Sequence, residues 1–278
     1  QLPVRIHMRG INGMGNVTPL FYSELFLAFP AVLYRMAFPV QACYQLYVIA
    51  VNAATYLIAY TCFKRISRHP RIAAVGAVLY VLAAYRISCL YERSAVGEYT
   101  AMAFLPLIVY GLWNLYTAED DARFTVAVYG PLVLGLSGII QSNIPTCVMS
   151  AVILLLFCLV MLRKTLKPRR LLALLKAAFW VLVINLWFLL PIVDSLSMPI
   201  MENESSSPMV IGNRAVEPIY LLGGLSQGYT LSSRVLEDAF SLGLALALGL
   251  AVFLAVSCRR EQWELTKETS YHAATYAF

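Results

Sequence analysis

Four charged side chains lie close together in the segment RISCLYERSAVGEYT, namely Arg86, Glu92, Arg93 and Glu98. The arginines among them are of a type that binds phosphate. Two interpretations of Arg93 and Glu98 stay open. In the first, they form a local ion pair, and Glu98 is favoured near the N-terminus of a helix. In the second, they bind an anionic lipid headgroup, where Arg93 neutralises phosphate and Glu98 orients the phosphate or the acceptor.

A second polar group interrupts the sequence GIIQSNIPT, between two apolar runs. It offers the side chains of Gln141, Ser142 and Asn143 at a turn. Metal chemistry is not indicated, because the six cysteines and three histidines are scattered, without CxxC or Cys/His spacing. We therefore expect neither a metal site nor a disulfide framework within this chain.

The elements that must position these residues are long apolar runs. The chain is 60% apolar and 13% charged, whereas soluble domains have roughly 45–50% and about 25%. A membrane-spanning helix needs about 20 apolar residues. The sequence predicts an all-α, polytopic transmembrane bundle of about seven spans, over residues 42–63, 72–85, 99–116, 124–140, 144–162, 171–193 and 239–257.

Basic residues indicate the orientation of these predicted spans. Residues 64–71, residues 163–170 and the tail after residue 258 are rich in Lys and Arg, and all fall on one side if every span is real. The positive-inside rule places that side in the cytoplasm, with residues 1–41 outside and the C-terminus inside. This bias explains the net charge of +6 without a nucleic-acid partner.

The remaining segments complete the predicted organisation. Residues 1–41 form the end of an outer loop, in which residues 20–38 either lie as an interfacial helix in the headgroup layer or form an eighth span. Residues 42–193 hold six spans, 194–238 an outer loop, 239–258 the seventh span and 259–278 a cytoplasmic tail. Because the polar opening at Gln1 is not a signal peptide, we expect the sequence to be a fragment that lacks its true start.

Three segments together resemble a family of bacterial membrane proteins. They are NGMGNVTPLFYSELFLAFPAVLYR, LYERSAVGEYTAMAFLPLIVYG and LGLSGIIQSNIP. They resemble the 6-pyruvoyl-tetrahydropterin-synthase-related membrane proteins, a branch similar to the type-C (GT-C) glycosyltransferases. The resemblance covers roughly Pro3 to Ile144, and the later spans match only in pattern.

The resemblance implies a GT-C-like bundle in a bacterial cytoplasmic membrane, with an active site at the outer face. It implies a polyprenyl-phosphate sugar donor and an acidic catalytic residue that would lie upstream of Gln1, acting as a general base or binding a metal. A divalent metal is therefore possible in the full-length protein, and no cofactor is expected here. By motif match, Glu24, Arg93, Glu98 and Gln141 are the substrate-binding candidates at the rim.

A non-enzymatic function is the alternative, namely a flippase for lipid-linked glycans or an assembly factor for envelope polymers. No charged residue lies near the middle of a predicted span, which argues against an ion-coupled transporter. That observation does not exclude a lipid flippase.

Overall fold

The structure is a computed structural model that describes residues 22–91, 93–118 and 124–196. All regular secondary structure in these ranges is helical, so the predicted all-α class is confirmed within them. The helices are α1 (Ala28–Arg35), α2 (Val40–Ser67), α3 (Pro70–Val81), α4 (Ala84–Tyr91), α5 (Val96–Ala101), α6 (Leu105–Thr117), α7 (Val126–Ile140), α8 (Ile144–Val160), α9 (Leu162–Thr165) and α10 (Pro168–Leu196). A 3₁₀ turn at Met102–Phe104 joins α5 to α6.

The chain divides into two units, Gln1–Leu82 with Cys89–Ser206, and Ala83–Ser88 with Ser207–Phe278. All contacts given below lie within the first unit. The predicted seventh span, the cytoplasmic tail and nearly all of the outer loop at 194–238 lie outside the described residues.

Three helical stretches in the described ranges are long and apolar enough to cross a membrane. They are Val40–Ser67, Val96–Thr117 and Pro168–Asp194, and α3 with α4 passes as a fourth if the bent pair is one span. They contain the predicted spans 42–63, 99–116 and 171–193. The helices α7 and α8 are apolar but have 15 and 17 residues. A total of seven spans therefore stays a prediction.

Two predicted segments differ in detail from the observed helices. The second span was expected to continue to residue 85, but α3 ends at Val81 and α4 begins at Ala84. Within the described residues 22–38, the expected interfacial helix over residues 20–38 is shorter, since the helix there spans Ala28–Arg35 and has no buried residue. Eight residues rise about 12 Å, too little to cross a bilayer, so the helix does not form an eighth span.

Side chains are distributed as in a protein dissolved in lipid. Small residues such as Ala59, Ala73 and Ala77 are buried between helices, while large apolar residues such as Leu57 and Ile72 are exposed. The three long apolar stretches bury only 22%, 39% and 28% of their most apolar windows. A soluble monomer does not expose apolar surface on that scale, whereas lipid-facing helices do. The chain is therefore an integral membrane protein.

Glycines bring α6 and α7 into close antiparallel contact. A Cβ atom built on Gly111 would lie 2.6 Å from the backbone nitrogen of Leu132, and one on Gly135 would lie 2.8 Å from Ile108. Such approaches are possible only without a side chain, and small residues commonly serve this purpose between membrane helices.

Contacts between helices define two ends of the bundle. The helices α2 and α5–α6 run in the same direction, since Tyr47 contacts Thr100 and Arg65 contacts Tyr110. The helices α7 and α10 are also parallel, since Arg170 lies over Phe124 and Asn185 contacts Ser137.

We name these ends by a residue. The Gln141 end comprises the start of α5, the α7–α8 turn and Asn185. The Arg170 end comprises the end of α6, the start of α7, α9 and the start of α10. Because α2 runs in the same direction as α6, the basic connection at 64–71 lies at the Arg170 end with 163–170, as the predicted topology requires.

Candidate functional site

The predicted pair Arg93 and Glu98 forms an ion pair at the start of α5. Nη1 of Arg93 lies 3.3 Å from Oε2 of Glu98, and their side chains are 36% and 20% exposed. Ser94, with φ of 50°, turns the chain between them, and the N–H of Ala95 donates to the carbonyl of Cys89. Glu98 lies in the first turn of α5, where a carboxylate is favoured by the helix dipole.

The second predicted element, Gln141, belongs to a chain of hydrogen bonds between the amides and hydroxyls of residues that are buried or, in the case of Ser23, half-buried. The hydroxyl of Ser23 donates to Oε1 of Gln141 at 2.6 Å, and Nε2 of Gln141 donates to Oδ1 of Asn185 at 2.8 Å. Nδ2 of Asn185 then donates to the hydroxyl of Ser137 at 2.9 Å and to the carbonyl of Val181 at 2.7 Å. We call Ser23, Ser137, Gln141 and Asn185 the amide network.

This network changes the interpretation of Gln141. Its side chain is only 4% exposed, and both atoms of its amide group have partners. A buried amide without partners would be costly in an apolar medium, so the network stabilises the α7–α8 turn. Gln141 therefore supports the rim of the site rather than facing a ligand.

The predicted residue Glu24 lies near the α7–α8 turn, because the adjacent residue Ser23 bonds to Gln141. Ser23 is bonded to Gln141, and the Phe26 ring lies 5.3 Å from the Phe104 ring. Glu24 itself is half-buried, and its carbonyl accepts a hydrogen bond from the N–H of Ala28. The segment that carries Glu24 is thus fixed against the end of α7.

The start of α5 also presses against the α7–α8 turn. A Cβ atom on Gly97 would lie 2.7 Å from the carbonyl oxygen of Ser142, so only glycine permits this approach. Glu98 follows immediately, and Arg93 is paired with it. The structure therefore brings the segments of all four predicted rim residues to one turn, Gln141–Asn143, which the N-cap Asn143 closes by accepting from the N–H of Thr146.

At the Gln141 end of the bundle, two longer helices, α10 and α2, extend beyond the level of this turn. From Asn185, α10 continues to Leu196, a rise of about 16 Å at about 1.5 Å per residue. Likewise, α2 begins at Val40, about 10 Å beyond the level of Tyr47. Large apolar residues on the upper part of α10 (Leu186, Trp187, Leu190 and Val193) are exposed. The polar turn is therefore recessed beside an apolar helix surface.

Sequence reasoning missed Asn185, Ser23 and Ser137. The signal for Asn185 was present, because it is a single amide in the apolar run AAFWVLVINLWFLL and follows Ala173, Ala177 and Val181 at intervals of four. All four of these residues are buried on one face of α10.

Within the described ranges, no three His, Cys, Asp or Glu side chains come together in a way that could hold a metal ion. The five cysteines within those ranges are free thiols.

No family model matches the chain, and no curated protein or solved structure matches it. The fold and the site define a class, namely an integral membrane protein that is helical throughout its described ranges, with a charged and polar rim at one end of the bundle.

Proposed function

We propose that this chain is a glycosyltransferase-like membrane protein of the GT-C type, which uses a polyprenyl-phosphate sugar at the outer face of a bacterial cytoplasmic membrane. The observation that carries the proposal is the partly exposed Arg93–Glu98 pair beside the recessed α7–α8 turn. The basic connections at the opposite end of the bundle support this orientation, because such connections favour the cytoplasmic side.

Arg93 is the residue proposed to bind the phosphate. A guanidinium presents five N–H donors in a planar fork that suits phosphate oxygens. The ion pair fixes the position of the guanidinium through Nη1, and its 36% exposure leaves surface accessible to a ligand. Glu98 would then orient the bound headgroup or the acceptor hydroxyl.

The apolar surface beside the turn suits the lipid part of such a donor. Leu186, Leu190 and Val193 are exposed along α10 above the level of Asn185. An isoprenoid chain lying against them would place its phosphate next to the polar turn.

The test is sugar transfer by the full-length protein in native membranes. Arg93→Ala is expected to reduce transfer from a polyprenyl-phosphate sugar at least tenfold, and Glu98→Gln to reduce it less. Arg65→Ala is the matched control, because Arg65 is an exposed arginine that contacts Tyr110 near the Arg170 end. Wild-type transfer by Arg93→Ala would refute the assignment of the phosphate site.

A non-enzymatic function uses the same rim, as a flippase or an assembly factor that binds lipid-linked glycans. The observation in its favour is that the Glu98 carboxylate is engaged by Arg93, an arrangement better suited to binding than to proton abstraction. Binding of the polyprenyl-phosphate sugar that depends on Arg93, without any transfer, would support this alternative over the enzyme.

A further inference from the structure

The connection between α8 and α10 is a well-ordered structural element, which we call the basic elbow (residues 161–170). Its backbone is almost continuously hydrogen-bonded, from Met161 N–H to the Phe157 carbonyl through Leu171 N–H to the Lys167 carbonyl. Two of its side chains point inward and are buried, Thr165 and Arg170. The elbow therefore has a fixed shape rather than that of a loose loop.

The two inward side chains connect the elbow to the rest of the bundle by hydrogen bonds. The Thr165 hydroxyl bonds to Tyr116 at 2.6 Å. Arg170 donates from Nε to the Leu115 carbonyl at 2.8 Å, from Nη1 to the Lys164 carbonyl at 2.8 Å and from Nη2 to the Ala118 carbonyl at 3.2 Å. The remaining side chains of the elbow are consequently turned outward.

The outward side chains combine four cations with apolar groups. Arg163, Lys164, Lys167 and Arg169 are all exposed within seven consecutive residues. Leu162 and Leu166 are exposed between them. Exposed leucines continue the apolar surface on both sides of the elbow, at Leu155, Leu156 and Leu159 on α8 and at Leu171, Leu172 and Leu175 on α10.

The geometry points to a binding site for an anionic phospholipid at the basic elbow. The phosphate of the headgroup would lie against the four cations, and the acyl chains would lie along the exposed leucines. Clusters of four or more basic residues directly beside membrane helices favour anionic lipids, at roughly 1 kcal/mol for each Lys or Arg near the surface. Charge complementarity therefore selects this occupant.

The acidic residues of the chain itself are the competing partner. Glu119, Asp120 and Asp121 follow Ala118 directly in the sequence, and the Ala118 carbonyl accepts a hydrogen bond from Arg170. The experiment must therefore separate binding of lipid from pairing within the chain.

The full chain would be reconstituted into phosphatidylcholine nanodiscs with increasing phosphatidylglycerol, and retained phosphatidylglycerol would be measured by native mass spectrometry. We expect replacement of the four exposed elbow cations by Gln to weaken retention at least fivefold. The matched control changes Lys64, Arg65, Arg68 and Arg71 to Gln, which also removes four exposed charges at the same end. Retention of phosphatidylglycerol should change less than twofold in this control, because no large apolar side chain is exposed between these four cations, whereas Leu162 and Leu166 are exposed beside those of the elbow.

A variant that keeps the charges of the elbow shows whether lost retention comes from the lost charge or from a changed elbow structure. Arg163→Lys with Arg169→Lys should retain phosphatidylglycerol within twofold of wild type. If the neutralised elbow and the neutralised 64–71 connection lost phosphatidylglycerol retention equally, the lipid would be attracted to positive charge in general. That result would overturn the proposal. Retention that appears only after Glu119, Asp120 and Asp121 are neutralised would identify those residues as the partner and would also overturn it.

Discussion

The two ends of this bundle satisfy their polar groups in different ways. At the Gln141 end, the four side chains of the amide network bond mainly to one another across α7, α10 and the segment before α1. At the Arg170 end, one guanidinium donates to three backbone carbonyls and lies over the rings of Tyr116 and Phe124. The Gln141 end divides its hydrogen bonds among four side chains, whereas the Arg170 end places three of its hydrogen bonds on one guanidinium.

The two ends differ because different polar groups need hydrogen-bond partners at each end. The last four carbonyls of a helix have no partner within the helix. Leu115 is among them in α6, and Arg170 supplies a donor there. At the Gln141 end, Asn143 caps α8 locally, and the side chains of neighbouring elements join the helices. We therefore expect single substitutions to cost most at the Arg170 end.

The largest effect is expected from Arg170→Met. This change removes the donors to three carbonyls, and hydrogen bonds to charged groups contribute about 1.5–3 kcal/mol each. We expect the free energy of unfolding to fall by about 3 kcal/mol, as measured by steric trapping in bicelles. The neighbouring Arg169 is exposed, and Arg169→Met should change stability by less than about 0.5 kcal/mol. Similar costs for both substitutions would refute the concentration of contacts on Arg170.

A smaller cost is expected from Gly97→Ala at the Gln141 end. The added Cβ would lie 2.7 Å from the Ser142 carbonyl oxygen, which is backbone and cannot rotate away. Overpacking of this kind costs about 1–3 kcal/mol, and it should also reduce any activity that depends on Glu98.

The control for Gly97→Ala is Gly130→Ala. Gly130 lies in α7, and the nearest atom to an added Cβ there belongs to the Val126 side chain at 3.7 Å. Unfolding measured under the same conditions should show Gly130→Ala to be neutral or slightly stabilising. A neutral result for Gly97→Ala would show that the α7–α8 turn can shift away from α5.

Removal of one member of the amide network is expected to have a still smaller effect. Interhelical hydrogen bonds in membranes average about 0.6 kcal/mol and reach about 1.7. Because Asn185 bonds to both Gln141 and Ser137, Asn185→Ala should cost about 1 kcal/mol. A double-mutant cycle with Gln141→Ala would measure the coupling between these residues. A coupling energy near zero would mean that the Gln141 end is not held by this network.

Some features of these two ends could be predicted from the sequence, and others could not. The long apolar runs and the pairing of Arg93 with Glu98 follow from local composition and spacing, and both are present in the structure. The distinction between Arg169 and Arg170 could not be predicted, because the positive-inside rule counts charges and does not say which one turns inward. The role of Asn185 depends on the register of α10 against α7, which is set by packing rather than by either helix alone.

The smallest effect on stability is expected at the break between α5 and α6, where a side chain again bonds to a helix carbonyl. Pro106 has no N–H, so the carbonyl of Met102, four residues earlier, loses its normal helical donor. The Tyr80 hydroxyl donates to this carbonyl at 2.6 Å. A side chain thus satisfies a helix carbonyl near the Gln141 end, as Arg170 does at the other end, but with a single neutral bond.

Tyr80→Phe keeps the edge-to-face contact with Phe63, whose ring centre lies 6.2 Å away, and removes only the hydroxyl. We expect a cost of about 0.6 kcal/mol in the same unfolding assay. Pro106→Ala restores an N–H that can donate to Met102, so Tyr80→Phe should cost almost nothing in that background. If its cost is unchanged, the hydroxyl stabilises the protein by a route other than the Met102 carbonyl. The parallel between Tyr80 at the Met102 carbonyl and Arg170 at the Leu115 carbonyl would then fail.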